Sequence, residues 1–201
     1  MSAPVSNPKP RFFPWYVTLA GPLVLMAISL AVVWRASSGS QTQNFVMGDR
    51  NALVTATDVL DAAGATHTYN PRAEVVRKEK LPRGGRSLSY SYEDDFVKVK
   101  SVVLAELDAQ SAATSFRELS SRETSEGGVI LQPEDCALPA GDERLVGTLL
   151  KSGVPIGQLF LQRTRAQVVL VHIEGPTAVS RLGFHALVKA KLEAAHAFTA
   201  Q

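Results

Sequence analysis

Beyond residue 48 the hydrophobic positions switch between a helical period and a strand period. Leu53, Ala56, Leu60 and Ala63 recur at three- and four-residue spacing, with Asp49 placed to cap the start and Gly64 to stop the end, which predicts a helix over 49–64. After Pro71 the period falls to two: AEVVRKEKL at 73–81 and RSLSYSYED at 86–94 predict two strands joined by a PRGG turn. In the second strand Leu88, Tyr90 and Tyr92 fall on one face and Ser87, Ser89 and Ser91 on the other, the pattern of a sheet buried on one side. Glu93, Asp94 and Asp95 break the run, and a long strand is expected from Phe96 to Leu107, with Lys98 and Lys100 facing opposite Val97 and Val99.

Asp108 then precedes a helical stripe of Ala109, Ala112, Ala113, Phe116 and Leu119, with Ser111, Ser115, Glu118 and Arg122 off it. Past Gly127 and Gly128, the segments VILQP, ERLVGTLLK, VPIGQLFLQR and AQVVLVHIE predict short strands, and Lys151, Ser152 and Gly153 mark a tight turn. A closing helix from about residue 178 to 198 sets Phe184, Leu187, Val188, Leu192, Ala195 and Phe198 on one face. The expectation is an α+β domain over 49–201, a mainly antiparallel sheet of about five to seven strands packed by two or three helices.

The N-terminal pattern differs in kind. Residues 15–34, WYVTLAGPLVLMAISLAVVW, are apolar and uncharged, and as a helix at about 1.5 Å per residue they span roughly the 30 Å of a bilayer core. Trp15 and Tyr16 open the segment and Trp34 closes it, where aromatic rings settle at membrane interfaces, and Arg11 and Arg35 flank it. Gly21 and Pro22 suit a kink that a membrane helix tolerates. A cleaved signal has a shorter apolar region ending in small residues; this one ends in Trp34 and Arg35, which favours a retained anchor. Lys9 and Arg11 precede the span and Arg35 alone follows it closely, so 1–14 is expected as a short cytoplasmic tail and the domain as extracytoplasmic. Residues 35–48 are the linker; ASSGSQTQNFVMG at 36–48 is uncharged and reaches roughly 20 Å as a flexible tether.

The anchor also explains the basic balance. Without Lys9, Arg11 and Arg35, the 21 Lys and Arg fall to 18 against 19 Asp and Glu, so the domain is nearly neutral and lacks the footprint of a nucleic-acid binder. One cysteine, Cys136 in PEDCALP, allows no internal disulfide and reads as a small apolar residue, two acids before it disfavouring a reactive thiolate. His67, His172, His185 and His196 show no metal-ligand spacing; His185 and His196 share a helix face but stand roughly 16 Å apart along it. His172 and Glu174 project to one side of their strand and read as a sheet-face pair. No Gly-x-Ser-x-Gly elbow or phosphate-cradling glycine loop is present, and no cofactor is expected.

The densest charge lies at 72–86, where Arg72, Arg77, Lys78, Lys80, Arg83 and Arg86 face only Glu74 and Glu79, a local excess of four. Such a stretch either meets anionic headgroups or an acidic partner, or guards an exposed strand edge against aggregation. The sequence therefore points to a noncatalytic, single-pass protein whose partners are the lipid bilayer and another membrane or envelope protein, which it would serve as an accessory, assembly or scaffolding subunit. A ligand-sensing or solute-binding domain is the alternative, and an enzyme comes third.

Overall fold

The computed structural model describes residues 47–65, 69–125, 128–175 and 179–199. All lie in the second of the chain's two units, Gln41–Gln201. The expected anchor at 15–34, its tail, most of the linker and His67 fall outside the described residues, as do Arg11, Trp15, Tyr16, Trp34 and Arg35.

Seven strands form one antiparallel sheet: β1 (Glu74–Lys80), β2 (Arg86–Glu93), β3 (Lys98–Ala105), β4 (Val129–Pro133), β5 (Glu143–Lys151), β6 (Val154–Thr164) and β7 (Gln167–Glu174). Their order across the sheet is β1-β2-β3-β7-β6-β5-β4. Two meanders are thus joined at β3 and β7, with Val99 opposite Ile173 and Val103 opposite Val169. The PRGG turn closes the first hairpin as Leu81 N–H donates to Gly85 O at 2.8 Å and Gly84 N–H to Leu81 O at 2.9 Å. In the β5–β6 turn Ser152 and Gly153 take φ of 53° and 77°, and two successive left-handed residues suit the twist of the flanking strands.

Among the described residues, three helices longer than one turn cover the sheet: α1 (Ala56–Ala63), α2 (Ala109–Ser125) and α3 (Arg181–Ala197). The α+β architecture is as expected; the third strand ends at Ala105 and the closing helix starts at Arg181, and two further boundaries shift for reasons the structure shows. The first helix starts at Ala56 and not near Asp49, because Thr55 and Asp58 form a capping box: the Thr55 hydroxyl accepts from Asp58 N–H, and Asp58 Oδ2 accepts from Thr55 N–H at 2.8 Å. Asp49 lies instead in a separate four-residue helical turn, Met47–Arg50. The third strand begins at Lys98 because Asp94 Oδ1 accepts from Phe96 and Val97 N–H, both at 2.8 Å, and that local turn competes with the ladder. Asp108 caps α2 as expected, accepting from Ser111 N–H at 2.7 Å, and this bond holds its carboxyl below the usual range.

The sheet's two faces are covered unequally. Leu88, Tyr90, Tyr92, Phe160, Val171 and Ile173 join α1, α3 and residues 52–54 in the larger core. Buried polar bonds tie that layer down: Val54 N–H donates to Ser101 Oγ at 3.1 Å and Ala56 N–H to the Tyr90 hydroxyl at 2.9 Å. Burial pushes the Tyr90 hydroxyl up to about 12. Gln167 on β7 donates to the carbonyls of Ala195 and Phe198 at 2.7 Å each, satisfying orphan acceptors at the end of α3. On the opposite face, Ala112 and Phe116 of α2 cover Leu149, Leu159, Leu161, Val168 and Leu170.

Candidate functional site

α2 packs over β4, β6 and β7, on one half of its face of the sheet. The other half, on β1 and β2, shows a polar surface. Strand alternation puts Val75, Arg77 and Glu79 of β1 beside Ser91, Ser89 and Ser87 of β2, and Ser91 in turn beside Lys100 of β3. Ser87 is buried, Ser89 half-buried and Ser91 exposed, while Val75 is 43% exposed. The serine column expected to face away from the core therefore lies on the half of the face that α2 leaves uncovered, running from buried Ser87 to exposed Ser91.

At the boundary between the covered and open halves lies a buried charge array. Glu123, on α2, keeps 2% of its side chain exposed, and Lys100 Nζ donates to its Oε1. The other oxygen, Oε2, meets His172 Nδ1 at 2.5 Å, and His172 Nε2 meets Glu174 Oε1 at 2.6 Å. Burial alone would raise the Glu123 carboxyl; the hydrogen bonds and positive charge of His172 and Lys100 outweigh it and hold the group at about 2. Both ring nitrogens of His172 are occupied by carboxylates, which leaves neither available to a metal or to a substrate proton. The array's work is positional: it pins the last turns of α2 to β3 and β7 and fixes Lys100 and Glu174 at the rim of the open face. Among the described residues no group of three His, Cys, Asp or Glu is placed to hold a metal ion, and no helix is long and apolar enough to cross a membrane.

The sheet-face pair His172 and Glu174 thus forms as the strand period implies, but its two further partners come from elsewhere. Glu123 follows Ala112, Phe116 and Leu119 at the next step of the α2 stripe, so helical spacing alone puts it toward the sheet. Lys100 arrives through the β3–β7 pairing, which sets it directly opposite His172.

The six basic residues of 72–86 do not form one surface. Arg77 lies on the open serine face and is exposed. Lys78 projects to the α1/α3 side, where it pairs with Asp49 Oδ2 at 2.8 Å and its Nζ stands 5.9 Å from the Phe198 ring centre. Lys80 and Arg86 are cross-strand neighbours on that same side. Arg83 is exposed in the turn, and Arg72 lies in a 3-10 turn, Pro71–Ala73, at the other end of β1. Because β1 is an edge strand, Arg77, Lys78, Glu79 and Lys80 also charge an edge that would otherwise invite pairing. The opposite edge, β4, is uncharged and ends at Pro133.

Elsewhere, Cys136 is partly buried against the larger core. His185 leans on Phe184 at 6.2 Å between ring centres; burial, then the nearby Arg181 charge, lowers its pKa.

No protein-family model and no curated protein sequence matches the chain. Among solved structures it is similar to the extracellular domain of PknH from Mycobacterium tuberculosis, with 14% identity, a TM-score of 0.38, and coverage of 78% of this chain and 98% of that one.

Proposed function

We propose that the chain is a noncatalytic, single-pass membrane protein whose extracytoplasmic domain docks on another membrane or envelope protein as an accessory, assembly or scaffolding subunit. The observation that carries this reading is the half of the face that α2 leaves uncovered, where small serines and the flanking Arg77, Lys98 and Lys100 make a polar surface beside the ion pair of Lys100 with Glu123. Small polar side chains on paired strands lose little conformational entropy when covered, which favours a broad interface over a pocket. The anchor reading rests on residues 15–34, and the orientation on Lys9 and Arg11 before that span. A tether of roughly 20 Å would keep the surface within reach of proteins at the same membrane.

Crosslinking in the native membrane, followed by purification of the full chain in mild detergent, tests the reading. A discrete co-purifying envelope or membrane protein is expected. Recovery of the chain alone would overturn it.

A further inference from the structure

The two edges of the sheet differ in charge. β1 carries Arg77, Lys78, Glu79 and Lys80, whereas β4, VILQP, carries none. Among the described residues no strand pairs with the outer side of β4. The direction of its backbone groups follows from one bond. Glu134 N–H, just past the strand, donates to Val146 O at 3.0 Å, so in an antiparallel ladder the amides and carbonyls of Ile130 and Gln132 also turn toward β5. Those of Val129 and Leu131 therefore point outward. Pro133 falls in the outward set too, where its missing N–H takes no bond from β5 and leaves a carbonyl alone.

That outward set is complementary to itself. When a second β4 runs antiparallel about a two-fold axis at Leu131, each Leu131 N–H meets the other copy's Leu131 carbonyl, and each Val129 N–H meets the other copy's Pro133 carbonyl. Only the Val129 carbonyl stays unpaired, because the residue facing it is proline. The side chains agree with this register. Val129 and Leu131 already pack against the apolar cluster under α2, and the two-fold sets Leu131 beside its own copy, so that cluster continues across the join. On the opposite face Ile130, 66% exposed, lies beside Gln132 of the second copy. At each end of the joined ladder the exposed Lys151 of one copy, beside Val129, and the exposed Asp135 of the other, two residues past Pro133, bring opposite charges. We propose that the β4 edge is a homodimer interface, at which two copies of this chain join their sheets into one. The pairing closes on itself: it consumes both β4 edges and leaves only the charged β1 edges outside, which discourage further addition. The serine surface proposed for docking takes no part, so either proposal can fail without the other.

The test co-expresses the full chain under two different tags. Recovery of one tag through the other from mild detergent is expected for the wild-type chain. Ile130→Lys in both copies sets like charges across the join and should lower that recovery about tenfold. A second measurement reads the register. With Cys136→Ser in both copies to remove the native thiol, Ile130→Cys under one tag and Gln132→Cys under the other face each other as a close, non-hydrogen-bonded pair, whereas two copies of position 130 stand on a diagonal. Mild oxidation in the native membrane should link the mixed pair several-fold more than either variant with itself. Positions 130 and 132 are both exposed, so the fold should survive these changes, as circular dichroism checks. No co-recovery of the wild-type chain, co-recovery of Ile130→Lys within about twofold of wild type, or equal linkage of mixed and self pairs would each overturn the proposal. An adduct at position 130 or 132 with a different protein, in place of a second copy, would overturn it as well.

Discussion

Under α1 and α3 the sheet offers Leu88, Tyr90, Tyr92, Phe160, Val171 and Ile173 to a continuous apolar layer, whereas the same strands offer α2 a smaller apolar cluster bordered by Glu123, His172 and Lys100. The first face is stabilised by area removed from water. At the border on the second, ionised groups hold α2 in place through bonds that demand one geometry, and the serines beyond it stay open. One sheet thus separates stability from surface: the layer that holds the domain together lies opposite the side that is free to meet something else.

The largest effect should come from the apolar side. Phe160 is fully buried there, and Phe160→Ala should cost about 3–5 kcal/mol in chemical denaturation, by lost burial and the cavity left behind. A loss below about 1 kcal/mol would mean this layer is not the main source of stability.

The array should respond next, and differently. Glu123→Ala leaves the half-buried Lys100 ammonium and the buried His172 ring without their carboxylate and should destabilise by about 3 kcal/mol, yet replacing Glu123, Lys100 and His172 together with apolar residues of similar volume should restore most of it. Failure of that triple replacement to recover stability would show that the array contributes net energy beyond mutual compensation. Its pH dependence has a definite sign. The folded Glu123 carboxyl sits at about 2, below its ordinary 4.5, so ionisation favours the folded state. That contribution is complete above the ordinary range and is lost as pH falls toward about 2. The stability gap between wild type and Glu123→Gln, followed by urea midpoints from about pH 6 down to about pH 2, should narrow steadily; a constant gap would exclude the ion pairing described.

The smallest effect belongs to the open surface. Ser91→Ala should change stability by less than about 0.5 kcal/mol, because the side chain is exposed. A larger loss would mean that this half of the face is already engaged within the fold.

Much of this architecture was legible in the chain. Alternation placed Leu88, Tyr90 and Tyr92 on the buried face of β2, and Asp108 and Gly64 marked helix ends, because these are local effects of backbone geometry. The α1 start was misplaced for a local reason too: Asp49 and Thr55 both resemble caps, but only Thr55 has an acid three residues on to close the box. The candidate site was harder to see. Glu123 and His172 are 49 residues apart, and the contact needs β7 to pair with β3, which no local period encodes. The basic stretch shows the converse: Arg77 and Lys78 are adjacent in sequence, yet a strand sends them to opposite faces, so a run of charge need not be a patch.

Site-specific photocrosslinking in the native membrane separates the two sides most directly, with a photoreactive residue at Ser91 on the open face or at Lys189, exposed on α3. Docking through the open face predicts a discrete protein adduct from Ser91 and none from Lys189. Equal adducts from both positions, or an adduct from Lys189 alone, would contradict it.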